Sequence, residues 1–167
     1  SGMGRASSTI EIASDAANSP DTLTVTVTGG RYIEDFSSDA LTASFAWSAS
    51  DVDGGGATWS HSSSYDAMRT NGIYNSSNED DLVTPTLSVV SGDSVIVSTT
   101  YSTTSSYYGP DSLIVRASTD DGTTWTGIDT FTNTSAATYA MDLESYAGST
   151  VKLSFLNKNP DGSSSYY

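Results

Sequence analysis

The apolar residues of this chain occur in short runs that alternate with polar residues and are separated by turn-forming residues. In the run 22–28, for example, the Leu and Val residues all fall on one side of an extended segment. Asp53-Gly54-Gly55-Gly56 and Asp121-Gly122 are typical turn signals between such runs. No segment shows a sustained apolar stripe at the 3.6-residue helical period. The pattern predicts an all-β fold, a β-sandwich of the jelly-roll type with few or no helices.

The same pattern divides the chain into segments. Candidate strands after residue 31 cover residues 41–48, 82–90, 93–101, 112–118, 125–131, 139–143 and 149–156. The polar stretch 60–81 is predicted to be an ordered excursion over the sandwich, outside the core. Residues 1–29 resemble the closing strands of immunoglobulin-like repeats and are predicted to be a linker or the tail of such a domain, with 30–167 as the main module. The alternative is that they form the first strands of the main sandwich.

The charge of the chain excludes some classes of partner. The net charge is −14, with only six Lys and Arg residues. Nucleic-acid binding depends on Lys and Arg neutralising phosphates, so no nucleic-acid partner is expected. No run of about 18 apolar residues exists, and no membrane insertion is expected either. The chain has no cysteine, so a small secreted domain of this kind needs a stabiliser other than a disulfide, and bound calcium is a common one.

One acidic loop is a candidate for that calcium. The segment Asp51-x-Asp53-x-Gly55 places two carboxylates within one tight turn, and hard cations prefer such oxygen ligands. The alternative is that Asp51 and Asp53 form Asx-turns to the nearby backbone. Glu79-Asp80-Asp81 is a weaker candidate, predicted to be a solvated acidic cluster just before a strand.

Several short motifs then occur in a fixed order along the chain. They are Glu34-Asp35-Phe36, an aromatic strand ending at Trp47, the acidic loop at 51–59, Asp81-Leu82-Val83-Thr84-Pro85, and the segments 112–116, 118–125 and 143–151. In this order they resemble the cleaved-adhesin or choice-of-anchor J modules, jelly rolls related to MAM domains in bacterial secreted proteases and surface proteins. The resemblance covers residues 31–167.

That resemblance has specific implications for the module. It implies a structural calcium held by Glu34 and Asp35 together with Asp51 and Asp53. It implies an extracellular or cell-surface location in a bacterial protein, with neighbouring domains in the same polypeptide. It also implies one further strand after Tyr167, so that a module ending there lacks its last strand.

Two other features concern aromatic residues. Ser118-x-Asp120-x-Gly122-x-Thr124-Trp125 fits the Asp-box of sialidases, and a single copy predicts a structural hairpin with Trp125 packed against it. Tyr107 and Tyr108 are predicted at a loop tip, where aromatic faces can stack on sugar rings. Trp47 and Trp59 are predicted to lie in the core.

Catalysis has little support in the sequence. His61 is the only histidine, and no nucleophile elbow, zinc-binding helix motif or phosphate loop is present. The sequence therefore predicts a non-catalytic extracellular binding or adhesion module, calcium-stabilised, that contacts a glycan or an extracellular protein. One alternative is a carbohydrate-binding module that accompanies a polysaccharide-degrading enzyme, with Tyr107 and Tyr108 as its platform. Another is a glycoside hydrolase or other hydrolase fragment, which requires His61 and several carboxylates to converge in one pocket.

Overall fold

A computed structural model describes residues 9–10, 25–26, 34, 36–42, 46–56, 58–64, 66–70, 78–99, 102–103, 112–132, 137–159 and 165–166. The chain divides into two compact units, Ser1–Glu34 and Asp35–Tyr167. In the first unit, β1 (Thr9–Ile10) pairs antiparallel with β2 (Val25–Thr26). Whether this unit is the tail of an immunoglobulin-like domain stays a prediction.

The second unit consists of antiparallel strands. In chain order they are β3 (Ser48–Asp51), β4 (Ser60–Ser62), β5 (Ala67–Arg69), β6 (Asn78–Val83), β7 (Leu87–Ser88), β8 (Ser94–Thr99), β9 (Ser102–Thr103), β10 (Ser112–Ser118), β11 (Thr126–Thr132), β12 (Ala137–Asp142), β13 (Thr150–Asn159) and β14 (Ser165–Tyr166). Among the described residues the one helical segment is a 3-10 turn at Glu144–Tyr146. No helix in the described part of the chain has the length and apolarity needed to cross a membrane.

The largest sheet, here called the central sheet, has the strand order β11-β10-β13-β6-β3, and β7 pairs with the start of β13. Side chains alternate across it because successive residues of a strand point to opposite faces. On β13, Val151, Leu153 and Phe155 are buried on the inner face, and Lys152 and Ser154 lie on the other. This second face, which also carries Glu79, Asp81, Arg116 and Lys158 by register, is the outer face of the central sheet.

A second layer covers the inner face. Strands β8 and β12 pair along their full length, and the Tyr139 ring of β12 stacks on Phe131 of β11 with the ring centroids 3.8 Å apart. Trp47 stacks on Phe155 from the same side, at 5.9 Å. Val115 in the middle of β10 is fully buried. The predicted all-β sandwich (jelly roll) is confirmed, and Trp47 is a core residue, as predicted.

The hairpin of β4 and β5 corrects one sequence prediction. The stretch 60–81 was expected to run outside the core, but Met68 and Thr70 are buried. Trp59, just before β4, is buried as predicted and donates its indole N–H to the backbone oxygen of Asp80 at 3.0 Å. Because the indole nitrogen needs a partner once it is buried, this bond fixes the hairpin against β6.

Two strand boundaries also differ from the prediction. The range 41–48, expected to be one strand, begins with a turn in which Thr42 N donates to Asp39 O at 3.2 Å. The strand β3 starts only at Ser48. The single strand expected at 82–90 is instead two strands: β6 begins at Asn78 and ends at Val83, and β7 covers only Leu87–Ser88. Asp80 and Asp81 therefore lie inside β6 and are 0% and 5% exposed, so the prediction of a solvated acidic cluster is wrong. Their burial is possible because each carboxylate accepts hydrogen bonds within the fold.

Candidate functional site

The predicted acidic loop is built around the carboxylate of Asp51. One carboxylate oxygen accepts the backbone N–H groups of Gly54 and Gly55, at 2.7 and 3.1 Å. The other accepts the N–H of Gly56 at 2.7 Å. These bonds, the one from Gly56 first, lower the pKa of Asp51. Asp53 makes one similar bond, to the N–H of Gly55 at 3.1 Å.

This arrangement matches the Asx-turn alternative for the loop. Both Asp51 oxygens accept backbone N–H groups, as an Asx-turn requires. Within the described ranges no group of three or more His, Asp or Glu side chains lies close enough to hold a metal. Glu34 belongs to the first unit, and Asp35 lies outside the described residues. The calcium site at Glu34, Asp35, Asp51 and Asp53 stays a prediction.

Two other predicted sites have different outcomes. Tyr107 and Tyr108 lie outside the described residues, so their role as a platform stays a prediction. His61 lies on β4 and is half-buried. Its Nε2 is 2.8 Å from the backbone oxygen of Phe36, a contact that fixes the hairpin to the chain entering the unit.

The Asp-box segment forms the turn between β10 and β11. The Ser118 hydroxyl accepts the backbone N–H of Gly122 at 2.8 Å and donates to Asp120 at 2.7 Å. Asp120 also accepts from the N–H and the hydroxyl of Thr124, at 2.8 and 2.6 Å. The hydroxyl of Thr124, its N–H and Ser118 together lower the pKa of Asp120 to about 2. These contacts form the structural hairpin that the sequence predicted.

The turn places Trp125 on the outer face of the central sheet. Gly122, with φ of 92°, lies against the ring edge, where an added Cβ would come within 3.4 Å of Trp125. Only glycine adopts this backbone conformation without strain. The guanidinium carbon of Arg116 lies 5.2 Å from the centre of the ring, close enough for a cation–π interaction. The half-buried indole is thus held in one orientation.

Arg116 is itself fixed by a network that crosses three strands. One of its nitrogens, Nη2, lies 2.8 Å from Oδ2 of Asp81 on β6. Its Nε and Nη2 donate to the hydroxyl of Ser154 on β13, at 3.1 and 2.9 Å. The Ser154 hydroxyl in turn donates to the other oxygen of Asp81. Because each charge has a partner, Asp81 can stay buried with only 8% of its side chain exposed.

Two more ion pairs flank this network on the outer face. Lys152 Nζ is 2.7 Å from Oδ1 of Asp121 in the hairpin turn. At the other end of β13, Lys158 Nζ is 2.5 Å from Oε1 of Glu79. Both lysine side chains are partly exposed, at 27% and 45%.

A shallow cavity of about 190 Å³ opens at the hairpin end of this face. Its lining includes Val151 and the polar residues Thr86, Thr119, Asp120, Asp121, Thr150 and Lys152. The hairpin that carries Trp125 therefore also supplies two carboxylates to the cavity wall. The hydroxyl, ammonium and carboxylate groups of this lining can hydrogen-bond a small polar molecule.

The sequence predictions missed the centre of this surface. Asp81 was assigned to a solvated cluster, and neither Arg116 nor Lys152 was expected to take part in a site. One signal was available: Arg116 is the single charged residue in the strand Ser112–Ser118. A charge in the middle of a strand with buried neighbours needs a specific partner.

Comparison with known proteins adds little to this geometry. No protein family matches the chain, and no curated protein is similar to it. Among solved structures, the chain is similar to TmCBM61, a carbohydrate-binding module, in complex with β-1,4-galactotriose. The identity is 14%, the TM-score is 0.47, and the match covers 78% of this chain and 93% of that one. This similarity is too low to transfer the ligand of that protein to this chain.

Proposed function

We propose that this chain is a non-catalytic carbohydrate-binding module that holds its ligand on the outer face of the central sheet, at the hairpin between β10 and β11. One observation carries the proposal: the hairpin between β10 and β11 holds Trp125 against Arg116 and also supplies Asp120 and Asp121 to the lining of a cavity of about 190 Å³. A sugar ring has apolar C–H faces and a rim of hydroxyl groups. An oriented indole beside charged hydrogen-bonding groups is complementary to both.

The size of the cavity suits part of a larger ligand. Pockets for drug-sized ligands usually have volumes of about 300–1,000 Å³ and enclose most of the ligand. A shallow cavity of about 190 Å³ suits a single ring, with the rest of the ligand on the surface outside. Thr86 and Thr150 contribute hydroxyls to its lining, and Lys152 and Asp121 contribute an ion pair.

The carboxylates at this surface favour binding over hydrolysis. A glycosidase needs one carboxyl group with a raised pKa to act as a general acid. The pKa of Asp120 is instead lowered to about 2 by the hairpin, and both oxygens of Asp120 already accept hydrogen bonds. Asp81 and Asp121 are each paired with a cation. These groups are arranged to hold a conformation and to accept hydrogen bonds.

The wider role of the module follows the sequence predictions. We expect an extracellular location, with neighbouring domains in the same polypeptide and a glycan of a cell surface or polysaccharide as partner. The binding site proposed here consists of described residues and does not depend on Tyr107 or Tyr108.

Native affinity electrophoresis in gels that contain soluble polysaccharides tests the proposal. At least one polysaccharide should retard the wild-type protein. Trp125→Ala should weaken binding about tenfold or more, since aromatic and Arg side chains dominate binding energies and a factor of ten is 1.4 kcal/mol. Because Trp125→Ala could also loosen the hairpin, Lys152→Ala provides a second variant whose side chain is partly exposed. Ile96→Ala on β8 is the control, since Ile96 is 53% exposed and lies on a strand of the other sheet.

Each outcome of this experiment leads to a different conclusion about the glycan site. Loss of retardation in both site variants, with Ile96→Ala unchanged, supports the site. Binding that survives both variants would move the glycan site elsewhere. No retardation by any polysaccharide would overturn the proposed function itself.

A further inference from the structure

The outer face of the central sheet is closed to a ligand on one side of Lys152. Toward the end of β13, the next two residues on this face are Ser154 and Leu156, because every second residue of a strand shares a face. They are 0% and 6% exposed. Arg116 donates two hydrogen bonds to the Ser154 hydroxyl, at 3.1 and 2.9 Å. A ligand in the cavity therefore cannot continue along this part of β13.

Toward the start of β13 the same face is open. Thr150, the first residue of β13, is the next residue on this face, and it pairs with Ser88 of β7. Both residues are exposed. Their hydroxyl groups can donate and accept hydrogen bonds, as the hydroxyl groups of a sugar also can. This part of the surface therefore suits a sugar ring next to the cavity.

The hairpin turn is a wall of the cavity. Thr119, Asp120 and Asp121 belong to the cavity lining. Lys152 Nζ reaches from β13 to Oδ1 of Asp121 at 2.7 Å, and this ion pair joins the turn to the strand. A bound chain therefore does not continue between the turn and β13.

These surroundings distinguish the end of a glycan chain from its interior. A sugar ring inside a linear chain has two neighbouring rings, whereas the ring at either end has one. The cavity of about 190 Å³ continues into accessible surface at Thr150 and Ser88, and it ends at the buried Ser154. The site therefore suits a ring with a single neighbour.

We infer that the module binds the end of a glycan chain, with the terminal ring in the cavity and the next ring over Thr150 and Ser88. This inference rests on the proposed function and specifies which part of the glycan is recognised. Affinity should rise from the monosaccharide to the disaccharide and then stay constant, because a third ring lies beyond the start of β13.

The first test counts chain ends by titration calorimetry. A polysaccharide that binds is compared before and after partial cleavage by an endo-acting hydrolase, at equal mass. The number of protein molecules bound per gram should rise in proportion to the number of chain ends. A number that stays constant or falls would overturn this inference and leave the proposed function standing. Absence of binding to every polysaccharide and oligosaccharide would overturn both.

The second test measures the length of the site with an oligosaccharide series from the same polysaccharide. The disaccharide and all longer members should bind with affinities within about twofold of each other. Ser88→Ala should weaken binding of the disaccharide about two- to tenfold relative to the monosaccharide, the usual effect of losing one hydrogen bond.

Ser94→Ala is the matched control for this variant, since Ser94 is also an exposed serine and lies on β8 in the other sheet. It should bind every member of the series like the wild type. Affinity that grows with each ring beyond the second contradicts recognition of a chain end. A Ser88→Ala variant with the wild-type ratio of disaccharide to monosaccharide affinity contradicts the position of the second ring.

Discussion

Replacing Asn157 by leucine should make this protein more stable. Asn157 lies near the end of β13 on the inner face and is 0% exposed. Neither its amide nitrogen nor its amide oxygen has a hydrogen-bond partner. A buried amide without partners costs about 1–3 kcal/mol of folding free energy in proteins. Leucine has the same branching at Cγ as asparagine and no polar atoms to desolvate.

The expected size of the effect follows from these terms. Removing the amide recovers about 1–3 kcal/mol. The different shape of leucine costs less than about 1.5 kcal/mol of folding free energy. The apolar contacts that leucine adds offset this cost. We expect the free energy of unfolding to rise by about 2 kcal/mol, which for a domain of this size raises the melting temperature by about 4–8 °C. Urea denaturation followed by tryptophan fluorescence, together with calorimetry, measures both quantities.

Asn157→Asp is the matched control, because it keeps the shape and adds a charge. Asn157 pairs directly with Asp80 of β6, so the new carboxylate would be buried on the same face as an existing one. This variant should lose about 3–5 kcal/mol at neutral pH, the cost of an uncompensated buried charge. If Asn157→Leu is instead destabilised by more than about 1 kcal/mol, the amide contributes a favourable hydrogen bond in solution and the reasoning is wrong.

Three further perturbations test other parts of the fold. Val115→Ala removes two buried methyl groups from a fully buried position and should cost about 2–3 kcal/mol in urea denaturation; a cost below about 1 kcal/mol would contradict the close packing of β10. Asp81→Asn and Arg116→Met should each cost about 2–4 kcal/mol, since one partner is left unpaired in a site where the other is largely buried, and a double-mutant cycle should show coupling of about 1–3 kcal/mol. The pKa of Asp120 is lowered to about 2 in the folded state, so its stabilisation of the hairpin should be complete above the unfolded pKa near 3.9 and should be lost as the pH falls through about 2. Amide exchange in the hairpin, measured at several acidic pH values, should show this loss of protection in the wild-type protein. In Asp120→Asn the protection should not change with pH in this way.

Much of the fold could be predicted because it depends on local pattern. The alternation in β10 predicted the strand Ser112–Ser118 with its bounds as observed, and the Asp-box segment predicted the hairpin that follows it. Both depend on interactions between residues a few positions apart, such as the bonds from Ser118 to Gly122 and from Asp120 to Thr124.

The sequence predictions were wrong where the local composition suggests a loop but the segment forms a strand inside the sheet. Glu79-Asp80-Asp81 has the composition of a solvated loop, yet these residues lie in the interior of β6. Asp80 is stabilised there by the hydroxyl of Thr70 at 2.5 Å, and Asp81 by Arg116 at 2.8 Å. Propensity is a weak guide to strands because neighbouring strands decide what a side chain faces.

The sequence by itself determined that this protein is all-β, which residues alternate along each strand, and where the β10–β11 hairpin turns. Only the tertiary structure decided which charges meet. Arg116 and Asp81 are 35 residues apart, and Lys158 and Glu79 are 79 apart. A two-residue period fixes which side chains of one strand share a face, but it contains no information about which strands are neighbours. That order places β13 between β6 and β10, and it brings Arg116 to Asp81 and Lys158 to Glu79 on the outer face of the central sheet.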